Sequence, residues 1–118
     1  MSATIYHNPR CGTSRNVLQM LRDAGIEPSI IEYMKNPPSR PTLAGLIQQS
    51  GLSVAQAVRS KEPLYQEMGL GAADVTDEQL LDAMADNPIL INRPFVVTEL
   101  GARLCRPAEL VQELLPKP

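Results

Sequence analysis

At 118 residues the chain has room for one hydrophobic core and not for two independent ones. Hydrophobic residues make up 43%, which argues against intrinsic disorder, and no apolar run approaches the ~18 residues of a membrane span. A formal charge of −2 and 3% aromatic content argue against the basic face and stacking surface of a general nucleic-acid binder.

In chain order, Ala3-Thr4-Ile5-Tyr6-His7 is β-prone and Asn8-Pro9 stops it. Val17, Leu18, Leu21 and Ala24 then recur at helical spacing, with Gly25 suited to close the helix. Ser29 to Tyr33 is a second β-prone run between Pro28 and Pro37-Pro38. Strand, helix and strand at this length make a βαβ unit with parallel strands.

From about 39 to 87 the chain reads as helical throughout, broken in the middle by Gly69 and Gly71. Leu43, Leu46 and Ile47 form a stripe closed by Gly51, and Ser53 is suited to cap a short helix through Val58. Thr76-Asp77-Glu78-Gln79 has the form of a capping box. Strands return at Phe95–Thr98 and Ala102–Leu104, around a hairpin loop Glu99-Leu100-Gly101. Pro107 then opens a final helix with Leu110, Val111, Leu114 and Leu115 on its apolar face.

The order βαβ, helical insert, ββα predicts an α/β fold of thioredoxin-like arrangement with a mixed four-stranded sheet. It is expected to be one domain over 1–118, with the insertion at about 39–87. No export signal precedes the first strand, and two distant cysteines fit a reducing compartment, so a soluble cytoplasmic protein is expected.

Cys11 stands between the first strand and the first helix, in His7-Asn8-Pro9-Arg10-Cys11-Gly12-Thr13-Ser14-Arg15. A helix start carries unpaired N–H groups and partial positive charge, both of which favour thiolate. A free thiol titrates near ~8.5, and such settings bring it below neutrality. The same N–H groups cradle an anion, and small residues such as Gly12, Thr13 and Ser14 suit a loop that wraps one. Ser14 occupies the place of a second thiol in C-x-x-C, and Val17 that of the arginine in the phosphatase loop C-x5-R. A single-thiol nucleophile resolved by another molecule is left. Cys105, ending the last strand beside Arg106, is the one internal alternative; it reads as a buried strand-end residue, with a Cys11–Cys105 disulfide left open.

Eight of the eleven basic residues are Arg, the better ligand for tetrahedral oxyanions. Arg93-Pro94 and Arg106-Pro107 bracket the hairpin, seven residues before Leu100 and six after it. Antiparallel pairing brings them together at the open end, where like charges repel unless an anion lies between them. A thioredoxin-like fold also commonly places a cis-proline before its third strand, which would bring Arg93 to the Cys11 loop. Arg59 on its own reads as a surface charge; of the others, Arg15 is best placed to touch the loop.

These stretches resemble the glutaredoxin-coupled arsenate reductases. The resemblance runs through Ile5–Pro9, Cys11–Asn16, Pro37-Pro38, Asn87–Pro94 and Gly101–Pro107. It implies that Cys11 is the nucleophile and that His7 tunes its thiolate. It also implies that Arg59, Arg93 and Arg106 hold the oxyanion and its reduced product. Arsenate would be reduced to arsenite through a covalent Cys11–arsenate intermediate, with glutathione as co-substrate and glutaredoxin as partner. No bound cofactor or metal is required, and a monomer without nucleic-acid or membrane partners is expected. Arg10 departs from the best-known members, which have a small residue there, and the chain ends at Pro118 without the longer polar tail of some members. The competing readings are a glutathione-dependent thiol-disulfide reductase and a non-enzymatic RNA-polymerase-binding regulator. Ser14 counts against the regulator, whose branch typically carries C-x-x-C.

Overall fold

Ala3–His7 forms strand β1, with Ala3, Ile5 and His7 buried and Thr4 and Tyr6 half-buried between them. This description comes from a computed structural model and covers residues 1–117; the last residue of the expected domain, Pro118, lies outside the described residues. Helix α1 spans Gly12–Asp23 and buries Ser14, Val17 and Leu21. It ends in a Schellman motif: Gly25 N–H donates to Arg22 O (2.9 Å) and Ile26 N–H to Leu21 O (3.0 Å). That motif needs a left-handed residue, and Gly25 has φ +81°. Gly51, at φ +73°, closes a later helix in the same way.

Strand β2 (Ser29–Glu32) pairs parallel with β1, as the βαβ reading requires. Strands β3 (Phe95–Thr98) and β4 (Gly101–Leu104) form an antiparallel hairpin, and β3 pairs antiparallel with β1. The sheet order is β2-β1-β3-β4. Gly101 pairs with Thr98, so only Glu99 and Leu100 remain in the turn, one residue fewer than expected. The Arg93–Pro94 bond is cis as expected, and so is Arg106–Pro107.

The last segment departs from expectation in kind. Ala108–Leu114 is a 3₁₀ helix, with bonds such as Leu110 N–H to Pro107 O (3.1 Å). In a 3₁₀ helix, residues three apart lie on one line. Ala108, Val111 and Leu114 have that spacing, and all three pack into the core. Of the two other leucines counted on an α-helical face, Leu115 is half-buried against the same core, as Ala108 is, and Leu110 is half-buried.

The chain divides into two compact units, Met1–Asn36 with the segment from Arg93 onward, and Pro37–Asn92. In the first, Ile5, Val17, Leu21, Val96, Cys105, Val111 and Leu114 form an aliphatic core. Each large side chain removed from water there contributes about 1.5–3 kcal/mol. The second unit holds α2 (Arg40–Gln49), α3 (Val54–Ala57), α4 (Pro63–Glu67) and α5 (Asp77–Asp86). Thr76 and Gln79 form the expected capping box, and Ser53 and Gln56 form a second. Arg40 pairs with Glu78 and with Asp82 (2.6 Å), tying α2 to α5. This unit is not helical throughout: Val58 and Ile91 form an antiparallel β-bridge, with Arg59 N–H donating to Leu90 O at 2.7 Å.

Candidate active site

Sheet register brings three chain ends together. Tyr6 pairs with Phe95 and Phe95 with Leu104. The residues just after β1, just before β3 and just after β4 therefore share one end of the sheet. These are the Cys11 loop, Arg93-Pro94 and Cys105-Arg106.

Cys11 is the N-cap residue of α1 and is buried. Its N–H donates to Asn8 O and its carbonyl accepts from Arg15 N–H, both at 3.0 Å. Gly12, Thr13 and Ser14 supply the first N–H groups of the helix, and no acidic side chain lies in its first turn. The loop is pinned from both sides. Arg10 N–H donates to Asn8 Oδ1 (3.0 Å), Asn8 Nδ2 to the Tyr33 hydroxyl (3.4 Å), and Arg15 Nη1 to Pro9 O (2.8 Å). Ser14 Oγ accepts from Asn8 N–H (3.1 Å) and shares a 2.7 Å hydrogen bond with His7 Nδ1. The fourfold use of Asn8 was missed in the sequence, although Asn three residues before a helix-capping Cys is a legible turn signal.

Arg106 Nη1 donates to Cys11 Sγ at 3.7 Å and to Arg93 O at 3.1 Å. Arg93 is 7% exposed, and its Nε is the one buried side-chain polar atom without a partner among the described residues. Burial by itself raises the Cys11 pKa. The Ser14 backbone N–H, the Arg93 charge and the Arg106 hydrogen bond and charge outweigh burial and hold it below the ordinary thiol value. The Ser14 contribution is electrostatic, since the Cys11 side chain closes no capping hydrogen bond of its own. His7 is also held below its ordinary value. Burial is the main cause, Glu32 opposes it, and Arg22 and Arg15 add to it. Its ring is therefore neutral at neutral pH. A buried, cation-flanked thiol with a lowered pKa, beside unpaired donors, is equipped to attack an anionic electrophile.

Arg59 belongs to the helical unit, two residues beyond α3, where its Nη1 lies 3.5 Å from Glu62. Arg22, Arg40 and Arg103 are engaged with carboxylates, and Arg15 touches the loop as expected. Among the described residues no group of three or more His, Cys, Asp or Glu is placed to hold a metal. No helix among them is long and apolar enough to cross a membrane.

Cys105 is fully buried in the core, in no disulfide, and its pKa is pushed up to about 12, chiefly by burial. A pKa raised by folding favours the protonated form. Its stabilising effect is whole below the unfolded thiol value of ~8.5 and is lost as pH rises toward 12. Denaturant unfolding of the wild type and Cys105→Ala at several pH values tests this. The wild type should lose stability faster between about pH 9 and 12. Parallel curves would refute it.

The model of the ArsC family matches residues 6–114. The chain is 60% identical over 116 residues to an arsenate reductase of Rhizobium meliloti (strain 1021), covering 98% of this chain and 83% of that one. It is 55% identical over 113 residues to an arsenate reductase of Escherichia coli, covering 96% and 80%. Among solved structures, an arsenate reductase from Vibrio cholerae superposes with TM-score 0.94 at 46% identity, covering 98% of both chains. A putative arsenate reductase from Yersinia pestis gives 0.89 at 49%, covering 94% and 98%.

Proposed function

The chain belongs to the ArsC family, and on that premise we propose that it reduces arsenate to arsenite through a covalent Cys11–arsenate intermediate. The observation that carries this is the contact of Arg106 Nη1 with the Cys11 sulfur, beside the buried Arg93 whose Nε has no protein acceptor. A thiol-disulfide exchanger needs the thiolate but has no use for a convergent pair of guanidinium groups. An oxyanion needs both.

The Cys11 thiolate attacks arsenic(V), and one arsenate oxygen leaves as water after taking up protons. The N–H groups of Gly12, Thr13 and Ser14, with Arg93 and Arg106, neutralise the charge that crowds the arsenic as sulfur approaches. Arg59 enters this set on the family resemblance alone. His7, through Ser14, fixes the first turn that faces the sulfur and so tunes the thiolate.

Arsenic must then gain two electrons, and two thiols become one disulfide. Cys105 is buried in the core and strongly disfavoured as thiolate, so it does not serve as the second thiol. Glutathione therefore displaces a second arsenic oxygen as water, giving a Cys11–S–As(V)–S–glutathione adduct. Glutaredoxin then attacks the glutathione sulfur, and the S–As bond breaks with its electron pair going to arsenic. A glutaredoxin–glutathione mixed disulfide forms, and water releases arsenite from Cys11. No bound cofactor is required. The enzyme acts in the reducing cytoplasm, as a monomer.

Arsenite is measured with glutathione and glutaredoxin present, then with each omitted. Turnover that needs both is the expected result. Rapid disulfide reduction with no arsenite formed would sink the reading in favour of a thiol-disulfide reductase.

A further inference from the structure

The Cys11 loop holds more positive charge than an oxyanion clamp requires. From His7 to Arg22 the sequence has three arginines and no Asp or Glu. A carboxylate is the stabilising choice near a helix N-terminus, and cations there are unfavourable. Helix α1 instead has no acidic residue in its first turn and carries Arg10 and Arg15 around it.

Those two arginines are not equivalent. Arg15 donates to Pro9 O and holds the loop. Arg10 is exposed, and its backbone N–H is taken by Asn8 Oδ1. Its guanidinium has no hydrogen bond or ion pair among the described residues. In a chain of net charge −2, it is an unpaired cation next to the nucleophile. The oxyanion already has the helix N–H groups, Arg93 and Arg106. What still has to reach Cys11 is a thiol from outside, because Cys105 lies in the core.

We infer that Arg10 is a specificity residue for the reducing co-substrate: its guanidinium receives a carboxylate of an anionic thiol as that thiol approaches Cys11. This rests on the reading that an external thiol completes the reaction.

The test is run without arsenate, so that it stands apart from that reading. Cys11 is converted to a mixed disulfide with uncharged 4-thiopyridine. An incoming thiolate attacks the Cys11 sulfur, the S–S bond breaks, and the pyridine thiolate leaves as protonated 4-thiopyridone, which is read by absorbance. Glutathione supplies the carboxylates and β-mercaptoethanol serves as the neutral control.

Arg10→Ala is expected to slow glutathione about three- to fivefold, the upper part of the range of an exposed ion pair, and to leave β-mercaptoethanol unchanged. Arg10→Lys should keep most of the glutathione rate. The difference between thiols should shrink in high salt, where exposed charges are screened. Equal slowing of both thiols, or no slowing of glutathione, overturns the inference. A protein showing this selectivity but making no arsenite would defeat the arsenate reading and leave Arg10 in its role.

Discussion

Cys11→Ser is expected to lower arsenite formation on the order of 10³-fold or more while leaving the fold intact. The argument starts from the sulfur. The Ser14 N–H and two arginines hold the Cys11 thiol below its ordinary value despite burial. A serine hydroxyl in the same field ionises far too weakly to become the attacking anion, so the covalent step is lost at its first bond. The oxyanion clamp survives, because Arg93 is buried and Arg106 Nη1 still has Arg93 O at 3.1 Å. Cys11→Ser should therefore bind arsenate with nearly unchanged affinity. Calorimetric titration with arsenate checks this, beside an arsenite assay and a thermal melt. Residual turnover within tenfold of wild type would remove Cys11 from the mechanism. Loss of binding together with turnover would mean that the sulfur, and not the arginines, organises the site.

How much of this was legible in the sequence follows from how local each signal is. The βαβ start, the Gly25 and Gly51 closures and the Thr76 capping box are set within a few residues, and they appear where expected. The place of Cys11 was legible for the same reason, since the strand–helix junction that makes it the N-cap of α1 is set by its neighbours. Arg93 and Arg106 lie thirteen residues apart, but the hairpin between them gives a register that can be counted.

The misses are features settled at a distance or by a fine balance. Ala108–Leu114 carries apolar residues that satisfy both a three- and a four-residue period, and packing against the core selects the tighter 3₁₀ form. The Val58–Ile91 bridge joins residues whose pairing no local pattern announces. In the sequence Asn8 reads only as a strand stop, because a turn residue's side-chain partners depend on what the fold brings beside it.

Arg93 shows what that distance conceals, and it is the site of the second large effect. A buried polar atom without a partner costs about 1–3 kcal/mol, and Arg93 Nε is in that condition. Such a cost persists in a fold when the group is matched to something that arrives later. Arg93→Met keeps an apolar stem and removes the guanidinium. It is expected to leave stability unchanged or raise it by about 1 kcal/mol. Removing one preorganised donor from an oxyanion should lower kcat/KM for arsenate about 10²–10³-fold. The Cys11 pKa should rise at the same time, because one of the cations holding it down is gone. Alkylation by iodoacetamide near neutral pH should then slow, and its pH profile should move to higher pH. Arg93→Lys keeps a charge but not the Nε donor, so it should restore much of the alkylation rate and little of the arsenate activity. The two readouts separate the roles of charge and fork. If Arg93→Met melts well below the wild type yet still reduces arsenate, Arg93 is a packing residue and the clamp has been placed on the wrong side chain.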